Sequence, residues 1–261
     1  MNSLGNTIWI EWRKVVRSRV PWFTAAGVLI MPLASAFFMV LFKYPDFARS
    51  SGIVSAKANL MAGTADWPTY LSMLAQASAI GGILLFSFIV SWVFGREFVD
   101  GTLKDLLAVP VARSSTVLAK FIVVAIWSGA LVLEIYLVAL ALGALVGLAE
   151  ATPAAIMSGS LTVLITGVLV ITTVTPIAFF ASVGRGYLLP LGCAILALLP
   201  ANVVATIGWG SLFPWSVPAL YAGMAGANST LNAASYWIVI LTGLAGIGGT
   251  LLWWRYADQN R

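Results

Sequence analysis

Six charged side chains, Arg96, Glu97, Asp100, Lys104, Asp105 and Arg113, fall within eighteen positions of this chain, and one carboxylate, Glu134, stands alone in an apolar run. Their chemistry is narrow. The chain has no histidine, which removes histidine haem ligation, the usual zinc-hydrolase sites and any serine–histidine pair. No metal site is expected. Its single cysteine, Cys193, lies in an apolar run and is expected to be a small buried side chain outside any disulfide framework. No G-x-x-x-x-G-K-[ST] occurs, and no lysine follows a glycine. The phosphate cradle of a P-loop ATPase is therefore missing. A membrane enzyme built from these residues would need unusual chemistry, so the chain is not expected to be an enzyme.

A charged carboxylate at the centre of a membrane helix costs about 2.5–3.5 kcal/mol on insertion scales, so it faces the bundle, pairs or protonates. No basic residue sits mid-span to match Glu134. Two readings stay open. Glu134 is a polar point on a path through the bundle or at the interface with a second chain, or it is a protonated carboxyl bonded to a hydroxyl side chain.

The elements that must position these groups are membrane helices. Charged residues make up 9% of the chain and hydrophobic ones 61%. No charge occurs between Arg19 and Lys43, Asp66 and Arg96, Glu150 and Arg185, or Arg185 and Arg255. Such runs read as transmembrane helices, because a helix satisfies its own backbone in hydrocarbon. The expected fold is all-α, a polytopic membrane protein forming a single transmembrane domain over 1–261. Its six spans fall near 21–42, 70–94, 119–148, from the 150–153 turn to 183 with a kink at Pro176, 187–207, and 236–254. Threonines of the fourth span are expected to bond their own helix or a neighbour. Ala139, Gly143 and Gly147 form a small-residue packing face. Before the first span, residues 4–19 form an amphipathic interfacial helix with Arg13, Lys14 and Arg17 outside its apolar arc. Residues 208–235 carry no charge but many glycines and prolines, and are expected to form short re-entrant helices between the fifth and sixth spans.

With the amino terminus inside, eleven of the fourteen basic residues fall on the cytoplasmic side. Only Lys43, Arg49 and Lys57 lie outside. That bias orients the protein in the inner (plasma) membrane, multi-pass, with both termini cytoplasmic. The same placement argues against nucleic acid as a partner, although the net charge is +5.

The island at 96–113 then becomes a cytoplasmic loop with helix signals. Thr102 precedes Asp105 by three residues, a capping-box pattern. Val99, Leu103, Leu106 and Leu107 share one side at helical spacing, Lys104 and Asp105 turn away, and Pro110 stops the helix. A short helix held between two spans transmits force if a partner grips it. A plain solvated loop would carry the charge but needs neither cap nor apolar face.

Glu97, Gly101, Thr102, Leu103, Leu106, Leu107, Pro110, Val111, Arg113 and Lys120 together resemble the intracellular motif of ABC-2 type permease subunits of ATP-binding-cassette (ABC) transporters. The resemblance implies that this loop is a coupling helix docking into a groove of a nucleotide-binding ABC ATPase subunit. It also implies that ATP and Mg are bound by that partner, with no cofactor in this chain, and that a second permease copy or paralogue completes the pathway within membrane lipid. The expected function is the permease subunit of an ATP-driven exporter of a hydrophobic or amphipathic compound (drug, antimicrobial peptide or lipid-like). The alternative is a proton-coupled secondary transporter using Glu134, sensitive to protonophores and not to vanadate.

Overall fold

The computed structural model of the chain describes residues 3–45, 63–103, 111–224 and 231–256. Among them are ten α-helices: α1 (Ser3–Val16), α2 (Val20–Val28), α3 (Ile30–Lys43), α4 (Trp67–Val99), α5 (Arg113–Val146), α6 (Pro153–Thr173), α7 (Ile177–Val183), α8 (Leu188–Thr206), α9 (Val217–Tyr221) and α10 (Ala233–Tyr256). A 3-10 turn, Gly210–Leu212, lies between α8 and α9. The only β feature among these residues is an isolated bridge, Asp66 to Ala149. Six stretches among the described residues are long and apolar enough to cross a membrane: α2–α3, α4, α5, α6–α7, α8 and α10.

Two spans are interrupted, each at a proline. The expected single helix over 21–42 is instead α2 and α3, broken at Leu29. Pro32 has no N–H to give the Val28 carbonyl, and its ring crowds that oxygen. In the fourth span, Pro176 ends the ladder between α6 and α7 as expected, and Thr175 Oγ1 donates to Gly243 O of α10 at 3.1 Å across the break. Thr162, Thr172 and Thr173 bond back into their own helix, to Ser158 O, Val168 O and Leu169 O, whereas Thr166 Oγ1 is buried with no partner among the described residues.

Helix α4 is the centre of the bundle and its most buried span, packed against α3, α5, α6, α7 and α8. It runs 33 residues and α5 runs 34. At 1.5 Å per residue each is about 50 Å long, well beyond a hydrocarbon layer of about 30 Å. Both helices thus extend past the expected spans and into the island from either side. Arg96 and Glu97 are still helical, and Arg113 already is.

At the opposite end, Asp66 caps α4: its Oδ1 accepts from Thr69 N at 2.8 Å, and Oδ2 accepts from Thr64 Oγ1. Burial alone would raise the Asp66 pKa, but these hydrogen bonds outweigh it and hold the carboxyl below its ordinary value. Lys43 Nζ donates to Val146 O and Gly147 O, closing the end of α5. Ala139 and Gly143 do pack against α4, with Tyr70 Oη donating to Ala139 O at 3.0 Å. Gly147 has a different job. Its φ of 65° puts it in the left-handed region that ends α5.

Candidate functional site

The island end of the bundle is built on a closed ring of four charges. Glu11 and Lys14 lie one turn apart on α1, Glu97 in the last turn of α4, and Lys120 seven residues into α5. Lys14 Nζ pairs with Glu11 Oε1 at 2.6 Å and Glu97 Oε1 at 3.0 Å. Lys120 Nζ pairs with Glu11 Oε2 at 3.2 Å and Glu97 Oε1 at 2.8 Å. Each carboxylate therefore touches both ammoniums, and the ring is neutral. Both glutamates are buried and Lys120 is 0% exposed.

Burying four charges is tolerable only because they are paired. Lys120 makes the point most fully. An ammonium has three donors, and here they meet Glu97 Oε1, Glu11 Oε2 and, at 2.7 Å, Val93 O. The Phe94 ring lies 5.9 Å from the same nitrogen. The second oxygen of Glu97, Oε2, is buried with no partner among the described residues.

Around the ring, Arg96 pairs with Asp100 at 3.1 Å, donates to Lys14 O at 3.4 Å and lies over Trp92. The basic Lys14, expected on the outer face of α1, thus turns inward. Arg113 starts α5 and donates from Nη1 to Trp254 O at 3.2 Å, neutralising the carbonyl end of α10. Trp254 Nε1 in turn donates to Ser182 Oγ of α7 at 2.9 Å. Tyr187, which precedes α8, faces the same charges. Burial and then the Asp100 carboxylate push its hydroxyl up, with Arg96 opposing them.

The remaining island residues divide by position. Gly101 follows the last turn of α4 with φ 68°, a conformation that L side chains rarely adopt, and it turns the chain off the helix axis. Thr102 is exposed. Leu103 is 9% exposed and belongs to this chain's own core, whereas Val99 is 53% exposed. The expected common apolar side of Val99 and Leu103 is therefore split, because the chain turns between them. Lys104, Asp105, Leu106, Leu107 and Pro110, and with them the expected capping box and docking face, lie outside the described residues.

Glu11 is the member that the sequence reading missed. It is the only acidic residue in the first 45 positions, a signal that was there to be used. Glu134 sits far from the ring on α5, half-buried beside the exposed Leu133 and Leu137, with no hydrogen bond or ion pair among the described residues. No cluster of three or more metal-ligating side chains occurs among those residues.

A second feature lies between α4, α8 and the 210–224 segment. It is a cavity of about 960 Å³ lined by Ile80, Ile83, Leu199, Asn202, Trp215 and Met224 among others, none of them charged. The Asn202 amide is exposed there.

A family model described as ABC-2 family transporter protein matches residues 7–201, three quarters of the chain, including the ring and the island. Among curated proteins, the bacitracin transport permease protein BCRB of Bacillus licheniformis is 27% identical over 178 residues, covering 68% of this chain and 85% of the relative.

Proposed function

Because this chain belongs to the ABC-2 family of transporter proteins, we propose that it is the permease subunit of an ATP-driven exporter, moved by a separate ATPase that grips the island on the cytoplasmic side. Membership makes it a multi-pass membrane subunit of an ABC transporter that works with an ABC ATPase and is not itself one. The rest is our reading. The observation that carries it is the four-charge ring, which fixes α1, α4 and α5 to one another directly beside the island. A force applied to residues 102–110 then moves three elements together.

In this reading Glu97 acts from inside, by holding the base of α4, and Gly101 turns the chain outward. Arg113 fastens the other end of the island to α10. The docking contacts themselves fall to Leu106 and Leu107. ATP and Mg belong to the partner, and a second permease chain completes the pathway. Helix α1, with Trp9 and Ile10 exposed, lies in the membrane interface, where its aromatic and apolar side chains are at home.

The uncharged cavity suits a hydrophobic or amphipathic compound, held by apolar walls and a few polar groups such as Asn202. The relative named for bacitracin transport supports a peptide antibiotic as the class. Glu134 takes the role of a polar point facing the second permease or the substrate. The test is capture of the ATPase by tagged full-length chain. Wild type should retain it, and Leu107→Asp, which puts a charge on the docking face, should lose it. Absence of any ATPase from the wild-type complex would overturn the reading.

A further inference from the structure

The ring explains how the island moves α1, α4 and α5, but not how α8, the far wall of the cavity, follows. Helix α8 packs against α4, α7 and the 3-10 turn. Its base is the short loop 184–187, and that loop comes closest to the backbone of α4 at Gly95. A Cβ built on Gly95 would stand 2.8 Å from Gly186 O, 3.1 Å from Gly186 C and 3.1 Å from Tyr187 Cδ1. Two of these three atoms are backbone and cannot swing aside. Gly95 lies two residues before Glu97, so the contact is one half-turn from the ring.

The loop has little slack of its own. A Cβ on Gly184 would meet Leu189 Cδ2 at 2.7 Å and Phe180 O at 3.0 Å. Arg185 holds φ 51°. A short, tightly packed loop pressed against bare backbone passes displacement on and does not absorb it.

We infer that Gly95 is a positioning residue: its backbone-to-backbone contact with Gly186 carries the motion of the island end of α4 to the base of α8, so that both walls of the cavity respond to the ATPase. The inference rests on the transport reading above. The contact is one-sided. A Cβ on Gly186 would meet only Gly184 O at 3.8 Å and Val99 Cγ2 at 3.9 Å, ordinary distances. Alanine is therefore tolerated at 186 and wedges the contact open at 95.

The test uses the full chain with its ATPase in vesicles. Gly95→Ala should cut transport and substrate-stimulated ATP hydrolysis by about tenfold, while ATPase capture and basal hydrolysis stay within about twofold; coupling energies between sites are of that order. Gly186→Ala should behave as wild type. Transport by Gly95→Ala at the wild-type level would overturn the inference.

A second arm needs neither transport nor a foldable Gly95→Ala. In a Cys193→Ser background, Val99→Cys with Gly186→Cys puts two thiols side by side, since a Cβ at 186 would stand 3.9 Å from Val99 Cγ2. The bond should form at the same rate in nucleotide-free and ATP-trapped complexes, because the contact moves as a unit. A rate that differs between the two states by about tenfold or more would mean that the contact opens during the cycle, and would overturn the inference. Wild-type vesicles that transport nothing on ATP would refute the function, whereas the cross-linking rate would still decide the contact.

Discussion

Changing Lys120 to Met is the sharpest probe of the ring. The lysine is wholly buried and its three donors meet three acceptors. Methionine fills a similar volume but leaves Glu11 and Glu97, both buried, to share Lys14 alone. Breaking a buried ion pair on one side costs about 3–5 kcal/mol, since a charge stays behind without compensation. The further changes Glu11→Gln and Glu97→Gln remove those charges, so the triple variant should recover most of the loss. Equilibrium unfolding in detergent, followed by fluorescence of the chain's 11 tryptophans, gives the energies. A double-mutant cycle of Lys120→Met with Glu97→Gln should show non-additivity of about 0.5–3 kcal/mol. A Lys120→Met loss below about 1 kcal/mol, or strictly additive losses, would refute the argument that these charges stabilise one another.

Three further outcomes follow from particular contacts. Gly246→Ala should destabilise by about 1–3 kcal/mol, because its Cβ would lie 2.5 Å from Pro176 N; Gly248→Ala, which meets nothing within 4 Å, should not, and thermal melts compare the two. Gly101→Ala should cost about 1–2 kcal/mol in the same melts, because its φ of 68° is unfavourable for a side chain. Asp66→Ala should cost about 1 kcal/mol through loss of the α4 cap. Since the Asp66 pKa is lowered on folding, its stabilisation is present above the ordinary value of 3.8 and is lost as pH falls through the lower folded value. Unfolding of wild type and variant should therefore converge under acid.

The spans were legible because hydrocarbon demands long uncharged helices, and Pro176 announced its own break. Pro32 was just as visible, but a proline near the middle of a uniformly apolar run gives no sign of where the helix restarts. The extension of α4 and α5 into the island was hidden for a related reason. Charges at 96, 97 and 113 look like loop residues until the structure pairs them across helices. The ring was illegible as a unit because Glu11, Glu97 and Lys120 are separated by 86 and 23 positions, and only tertiary packing brings them together. Lys14 misled by composition: beside Arg13 and Arg17 it reads as one more surface cation. Gly147 shows the limit of spacing arguments, since four-residue steps place it on a packing face while its φ makes it a helix terminator.

Energy source separates the account from its rival most directly. Sealed vesicles holding this chain with its ATPase, cytoplasmic face outward, should take up a labelled amphipathic peptide when ATP is added. Vanadate should abolish that uptake, and a protonophore should leave it unchanged. Uptake that survives vanadate and collapses with the protonophore would contradict the account, and would make Glu134, not the island, the centre of the mechanism.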